Sequence, residues 1–525
     1  YRMKPILLKS SAKAAEPALE LFATEITEGV LTPEEASAKI AQHSGDIAIA
    51  YQLEDEKLHR YAIALTIDDV FLVHGSTMGD WATDSKVTKI AHDAKSLART
   101  NGLTGITFDT ALAAYLVNPG VRSQELKDIQ ERWGDGTAIN QSSPEQELLT
   151  SSRAMFVLRD SLTRELKERN LWELFMTMEL PVADLLGRME SIGIAVDKKG
   201  LDELAAFFEG EVSRETKAAH DAVGHEFNVA SPKQLQVVLF DELKLPKTKK
   251  IKTGYTTDAE SLDWLHQKSG HPVLTSLLRI RETKKLGTTV EGLIAEIAKD
   301  GRIHTHFQQT VAATGRLSST GPNLQNIPVR TEEGRKIRDC FTVGKGYVAL
   351  LTADYSQIEM RIMAHLSHDE KLLAAFASGE DLHATVAGLV FGVKPSEVDP
   401  EMRRQMKAMS YGLAYGLSSY GLAIQLDITP PAAQQLMDTY FERFGGIRDY
   451  LKTVVEDARK VGYTETIMGR RRYLPDLMHD NRQRREVAER MALNAPIQGS
   501  AADIIKLAML NVQSAIEKEK LKSRL

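Results

Sequence analysis

Cysteine is all but absent from this chain. Cys340 stands alone among 525 residues, which excludes an intramolecular disulfide and a thiolate zinc site and fits a reducing cytoplasm. Long apolar runs are missing too: no stretch reaches the roughly 18 residues that a membrane helix needs. The opening YRMKPILLKSSAKAAEP has no apolar signal core, so secretion is not expected. Excess positive charge is lacking as well, since the net charge is −6, and the whole therefore does not advertise a polyanionic partner. Local clusters run against the sum: Lys244, Lys247, Lys249, Lys250 and Lys252 crowd one segment, and Arg470, Arg471, Arg472, Arg482, Arg484 and Arg485 another. Each suits a phosphate-contacting groove and equally a solvated surface. There is no internal repeat and no low-complexity tract. A 42% hydrophobic, 26% charged composition is that of an ordinary soluble protein, and a chain this long suggests about two to four domains.

What is present divides into two textures. Residues 46–75 read as three strands, DIAIAYQ, LHRYAIALTI and VFLVHG, separated by turn-like polar residues. Helices follow at 86–101, 110–116 and 145–170, so strands first and helices after predict a compact α/β or α+β domain ending near residue 170. Residues 171–300 are helical in pattern around the basic break LPKTKKIKTGYTTD, which reads either as a backbone-gripping tip or as a surface loop. Beyond 300 come a strand in RIHTHFQQT, the irregular loop TGRLSSTGPNLQNIPV, and YVALLTADYSQ, whose apolar run predicts a buried strand ending at Asp354. Residues 371–490 are largely helical.

The stretch RRQMKAMSYGLAYG at 403–416 carries the strongest chemical signal. Positions 403, 407 and 411 advance by about 40° per step on a helix, so Arg403, Lys407 and Tyr411 share one stripe. Two cations and a ring in line can hold a triphosphate and stack a base. On spacing alone, a solvated basic face running into a buried aromatic turn is favoured. Asp354, at the end of a strand, is a good ligand for a hard cation, while Ser356-x-x-Glu359 matches a capping box that starts the next helix. Ile358, Ile362 and Leu366 give that helix its buried stripe, which turns Glu359 and Arg361 elsewhere.

Four segments taken together, TGRLSSTGPNLQNIP, DYSQIEMR, RRQMKAMSYGLAYG and ERMALNAPIQGSAAD, resemble the bacterial DNA polymerase I family (family A) in its large-fragment portion. The likeness covers nearly the whole chain. It implies an RNase H-like exonuclease-type domain at 1–170, followed by a right-hand polymerase at 171–525. The thumb would lie at about 195–300, the fingers at about 371–488, and the palm at about 171–194, 301–370 and 489–525. By the same resemblance Asp354, with Tyr355 beside it, binds metal (two Mg²⁺, with Mn²⁺ a possible substitute), and Arg403, Lys407 and His383 meet the triphosphate. Tyr411 and Glu359 bound the sugar, with Glu359 excluding a 2′-hydroxyl, Gln357 lies on the nucleotide side, and Tyr415 stacks on the templating pair. Arg316, Asn323 and Gln325 from one side, and Arg490, Asn494 and Gln498 from the other, contact primer–template in the minor groove. Lys249 and Lys250 would grip its backbone. The blander readings are loop hydrogen bonding for Asn323 and Gln325, a helix cap before Pro496 for Asn494, and a solvated helix histidine for His383. The implied protein is a cytoplasmic, nucleoid-associated monomer working on primed DNA and dNTPs in repair and replication.

Two departures from the family pattern stand out. Its proofreading domains carry an Asp-x-Glu pair on the first strand, where this chain has Ile47-Ala48-Ile49-Ala50-Tyr51-Gln52; Glu54 and Asp55 come only afterwards. Leu97 stands near the next expected aspartate, with Asp93 close by. An inactive exonuclease follows, because two-metal hydrolysis needs paired carboxylates. The second departure is the family's His-Asp-Glu turn, which supplies the second metal-binding aspartate and is not found before Leu525; further residues are expected to carry it. Two alternatives remain open at this level. One is a single-subunit RNA polymerase, against which Glu359 and the lack of a promoter-recognition domain argue. The other is a primer–template-binding fragment without complete catalysis.

Overall fold

The computed structural model describes residues 27–525 apart from 122, 253, 330 and 380. These fall into two compact units. One runs through Ala113 and takes in Ser123–Glu165; the other holds a short piece from Ala114 and all of Leu166–Leu525.

The first unit is built on a mixed sheet of β1 (Thr27–Leu31), β2 (Ile47–Glu54), β3 (Lys57–Ala64), β4 (Asp69–Val73), β5 (Lys89–Ala91) and β6 (Ile106–Asp109). Their spatial order is β1-β4-β3-β2-β5-β6. β2, β3 and β4 form an antiparallel meander with Ala48 opposite Ala64 and Tyr51 opposite Tyr61; β5 and β6 add to it in parallel. Ile47, Ile49, Tyr61, Ile63, Phe71, Val73 and Leu97 pack into one core. The three expected strands are therefore present. The helix expected over 86–101 begins instead with β5, and only Ala94–Asn101 is helical. Lys-Ile-Ala is too short to show a strand period, and its pairing with β2 and β6 decides the matter.

The second unit is mainly helical. Helices Lys198–Val223 and Pro272–Ala295 pack together over Leu201, Phe208, Leu286, Val290 and Leu293. Between them the Lys-rich break forms a two-residue hairpin, Lys250–Ile251 with Gly254–Tyr255. A small sheet sets Ile194–Val196 between Arg302–Ile303 and Phe341–Thr342. Helices Ile358–Ser367, Pro400–Ala414 and Arg482–Lys518 share a core that includes Met360, Ile362, Met406, Met409, Leu413 and Ile497. No helix among the described residues is long and apolar enough to cross a membrane.

Two local expectations fail here. Tyr347–Gln357 is irregular, not a buried strand, and Val348 and Leu351 are almost fully exposed. An apolar run of this kind needs strand neighbours on both edges, and none of the described residues pairs with it. Nor does a capping box open the next helix. Its N-cap is Gln357, in the left-handed region at φ 55°, with no side-chain cap; Glu359 is buried and its carboxylate is engaged elsewhere.

Glu179, Arg470, Asp503 and Lys506 are all buried and form one ionic cluster. Arg470 pairs with Glu179 and reaches Asp503 through Nη2 at 2.7 Å and Nε at 2.8 Å. Lys506 Nζ donates to Glu179 at 2.7 Å, Thr466 Oγ1 donates to Asp503 at 2.7 Å, and Gln309 donates to Glu179 at 2.9 Å. Two charges of each sign cancel, so several kcal/mol of desolvation per ion are offset only while all four partners stay. Burial pushes the Glu179 carboxyl up, but Lys506 and Arg470 outweigh it and hold it at about 2. Its folded-state pKa lies below the ordinary 4.5, so its stabilisation is complete above about pH 4.5 and is lost as pH falls from there through about 2. Melting temperature is therefore expected to drop over that interval. Glu179→Gln is expected to cost about 3–5 kcal/mol at neutral pH and to flatten the acid limb; an unchanged acid limb would contradict the assignment.

Candidate active site

Helix Pro400–Ala414 opens with Asp399, whose carboxylate accepts the Met402 amide at 2.8 Å, and with Pro400 in its first turn. Met406, Met409 and Leu413 bury one face, which leaves Arg403, Arg404 and Lys407 exposed on the other. Arg403 is held by Asp381, with Nη2 at 2.7 Å and Nε at 3.2 Å from one carboxylate oxygen. The other oxygen of Asp381 caps helix Leu382–Phe391 by accepting the Ala384 amide at 2.9 Å. That cap places His383 beside Tyr411, ring centroids 5.9 Å apart. His383 is buried, and its Nδ1 has no partner among the described residues. Burial, reinforced by Arg403 and Lys407, pushes its pKa below the usual histidine value against the pull of Asp381, so it is neutral at pH 7. Burial and the Glu359 charge push the Tyr411 phenol up, so it keeps its proton as a donor.

A second group gathers around Glu359. Arg316 Nη2 lies 2.5 Å from Oε1, and the Tyr415 hydroxyl donates to Oε2 at 2.8 Å. Gln498, on the long helix Arg482–Lys518, lies near the Tyr415 hydroxyl. Arg316 and Gln498, expected on opposite sides of the primer–template, and Glu359 and Tyr415, expected on the nucleotide side, thus lie together in the fold. Arg490, Asn494 and Gln498 follow at four-residue steps along that helix. Asn494 lies inside the helix, which runs on through Pro496, so it is no cap; its Oδ1 is buried without a partner among the described residues. Gly416, at φ 68°, packs closely on the Arg490 stem, where a Cβ would meet Arg490 Cγ at 3.0 Å.

Other predicted residues stand apart. Asn323 accepts the Gln325 amide at 3.0 Å, and Gln325 donates to the Leu317 carbonyl at 3.2 Å, which is loop hydrogen bonding as the blander reading has it. Lys249 and Lys250 are exposed on their hairpin and join none of these contacts. Of the arginine cluster, Arg470 is buried, while Arg471 pairs with Glu465, Arg482 with Glu486 and Arg484 with Asp476. Asp381, two residues before His383, is an addition to the expected site: its cap is a local contact three residues away, but its pairing with Arg403, 22 positions on, is a tertiary fact.

Asp354 and Tyr355 are exposed in irregular chain, and Asp354 makes no hydrogen bond or ion pair among the described residues. Neither do the described residues contain a group of three or more His, Cys, Asp or Glu able to hold a metal. One carboxylate fits a Mg²⁺ that takes its remaining oxygens from water and substrate phosphates; it does not fit two ions. In the first unit the carboxylates are committed to structure. Asp109 accepts the amides of Ala94, Ala111 and Leu112 at 2.7, 2.9 and 3.2 Å. Asp93 accepts from the Ser96 hydroxyl at 2.5 Å, while Glu54 and Asp55 sit at the β2–β3 turn, Glu54 opposite Lys57.

Comparison with known proteins identifies the family. The family model described as DNA polymerase family A matches residues 198–525, and that described as DNA polymerase I, ribonuclease H-like domain, matches residues 54–141. The chain is 52% identical over 507 residues to DNA polymerase I of Mycobacterium tuberculosis strain H37Rv, covering 92% of this chain and 55% of that protein. It is 38% identical over 529 residues to DNA polymerase I of Bacillus subtilis strain 168, covering 96% of this chain and 59% of that one. The chain spans about half the length of the curated relatives it matches. Among solved structures it is similar to the POL domain of Pol1 from M. smegmatis in complex with DNA primer-template and dNTP, with a TM-score of 0.89 and 50% identity, over 95% of this chain and 90% of that one. With an RNase H-like exonuclease domain ahead of these matched residues, the chain belongs to DNA polymerase family A.

Proposed function

We propose that this chain carries the template-directed DNA polymerase activity of its family, adding dNTPs to a primer 3′-hydroxyl. The observation that carries the reading is the convergence of Arg316, Glu359, Tyr415 and Gln498 next to the helix that bears Arg403, Lys407 and Tyr411. A relative of 50% identity, solved with primer-template and dNTP, supports it. Primed DNA and dNTPs are the proposed partners, bound by a monomer in the bacterial cytoplasm. The domain limits proposed are those expected from the sequence.

Arg403 exchanges Asp381 for the triphosphate, aided by Lys407, so that two cations offset charge developing during phosphoryl transfer. His383, neutral at pH 7, acts as a hydrogen-bond donor toward that phosphate side, not as a third cation. Glu359, fixed from two directions by Arg316 and Tyr415, cannot swing aside and leaves no room for a 2′-hydroxyl. Tyr411 presents a protonated phenol to the sugar, which stands in for the missing 3′-hydroxyl of a dideoxynucleotide. Gln357 completes the nucleotide side, and the templating pair stacks on Tyr415. Arg490, Asn494 and Gln498, with Asn323 and Gln325 opposite, lie along the primer–template minor groove, and Lys249 and Lys250 reach its backbone. Asp354, with Tyr355 beside it, would hold Mg²⁺ or Mn²⁺; when bound, such an ion would supply Lewis acidity for the primer hydroxyl and charge neutralisation for the pyrophosphate. A second ion needs a carboxylate other than those described.

Magnesium-dependent primer extension with dNTPs but not NTPs is the expected result; preference for NTPs would favour the RNA polymerase reading, and duplex binding without extension the fragment reading. Glu359→Ala is expected to raise ribonucleotide use roughly ten- to two-hundredfold, the range for one small group excluded from a pocket. Dideoxynucleotides should be incorporated nearly as well as dNTPs, and Tyr411→Phe should lower that ratio. The first unit should show no 3′→5′ degradation, for want of paired carboxylates; degradation that disappears in Asp93→Ala would overturn this.

A further inference from the structure

The ionic cluster lies directly beneath the loop that presents Arg316. Gly315 adopts φ 81°, and a Cβ there would sit 2.5 Å from Arg470 Nε and 2.8 Å from Cζ. The guanidinium is thus in contact with the backbone of that loop. On the other side the Thr314 carbonyl closes on the long helix at Gly499, where a Cβ would meet it at 3.2 Å and the Thr466 methyl at 2.5 Å. The Gly315 amide donates to the Ala312 carbonyl at 3.0 Å, and the same carbonyl accepts the Tyr115 hydroxyl at 2.6 Å. One residue on from Gly315 is Arg316, bonded to Glu359; one residue back from Gly499 is Gln498, near the Tyr415 hydroxyl. The cluster therefore stands one residue from the candidate site along two separate elements.

We infer that Arg470 is a positioning residue for primer-terminus recognition: its guanidinium, fixed between Glu179 and Asp503, sets the height of the Thr314–Arg316 strap and with it the placement of Arg316 against Glu359. Its chemistry suits the task. A planar fork can bridge two carboxylates and still offer a face to a glycine backbone, whereas a lysine ammonium engages as a point charge and leaves the strap unsupported. Gly315 is required on the other side of the same contact, since any side chain collides with the fork. This inference rests on the polymerase reading for its consequence, but not for its structural half.

The test uses the whole chain as Arg470→Lys, Gly315→Ala, Arg316→Ala and the Arg470→Lys/Arg316→Ala double variant. Hydrogen exchange over residues 310–317, which contain the Gly315 amide bond, is measured against helix Ile358–Ser367. Fluorescence anisotropy, without turnover, compares duplexes whose 3′ terminal pair is matched or mismatched. Arg470→Lys and Gly315→Ala are expected to speed strap exchange about tenfold or more, the effect of about 1.4 kcal/mol of lost local stability, and to leave the reference helix unchanged. Both should lose matched-terminus preference as far as Arg316→Ala does, and the double variant should lose no more than either single one. Unchanged strap exchange, or additive losses in the double variant, overturns the inference. Gly315→Ala retains all four charges but is strained at φ 81° by itself, so if Arg470→Lys fails to fold, Arg470→Gln takes its place: strap exchange and matched-terminus preference unchanged from the unaltered chain overturn the inference, and loss of both upholds it. If the unaltered chain shows no matched-terminus preference, the polymerase reading fails, and the exchange rates alone decide whether Arg470 holds the strap.

Discussion

Glu179, Arg470, Asp503 and Lys506 each carry a formal charge and all four are buried. Burying ions is costly, and removing any one of four leaves the rest uncompensated, so the cluster fixes its neighbours as an apolar core would not. Its members come from the N-cap of helix Leu180–Ile192, from the hairpin Tyr463–Glu465 with Arg471–Tyr473, and from helix Arg482–Lys518. Thr466 and Gln309 add neutral hydrogen bonds to both carboxylates. Four segments far apart in the chain therefore meet at one electrically neutral point, and the loop bearing Arg316 rests on it.

From there outward the site is organised by carboxylates that each serve two partners. Asp381 gives one oxygen to a helix cap and the other to Arg403. Glu359 gives one oxygen to Arg316 and the other to Tyr415. The consequences differ with burial. The Arg403–Asp381 pair is about half exposed on both sides, where an ion pair contributes little, so the guanidinium can leave for a phosphate at small cost. Glu359 is buried, so its two bonds hold it rigid, which is what exclusion of one oxygen atom demands. Exchangeable charge on the phosphate side and fixed charge on the sugar side follow from that one difference in solvent access.

Much of this was legible in the sequence, and the limits are physical. The β2–β4 meander announced itself because each strand is a long β-branched and apolar run; β5 did not, because three residues carry no period. The stripe of Arg403, Lys407 and Tyr411 was readable because helical spacing is local. The partners of Arg470 were not: Glu179 lies 291 positions away, and an arginine beside two others reads as surface until its burial is known. Ser356-x-x-Glu359 misled for the opposite reason, since the local motif is sound but a tertiary contact claims the glutamate. Tyr347–Gln357 has the composition of a buried strand without a described neighbour to bury it, and composition alone cannot supply a pairing partner.

The measurement that bears most directly on the account is single-nucleotide incorporation on four primed templates that differ only in the templating base, with each dNTP offered alone in the presence of Mg²⁺. The account predicts one added nucleotide on each template, always the complementary one. Addition that ignores the templating base, or tight binding of primed duplex with no addition on any template, would contradict it.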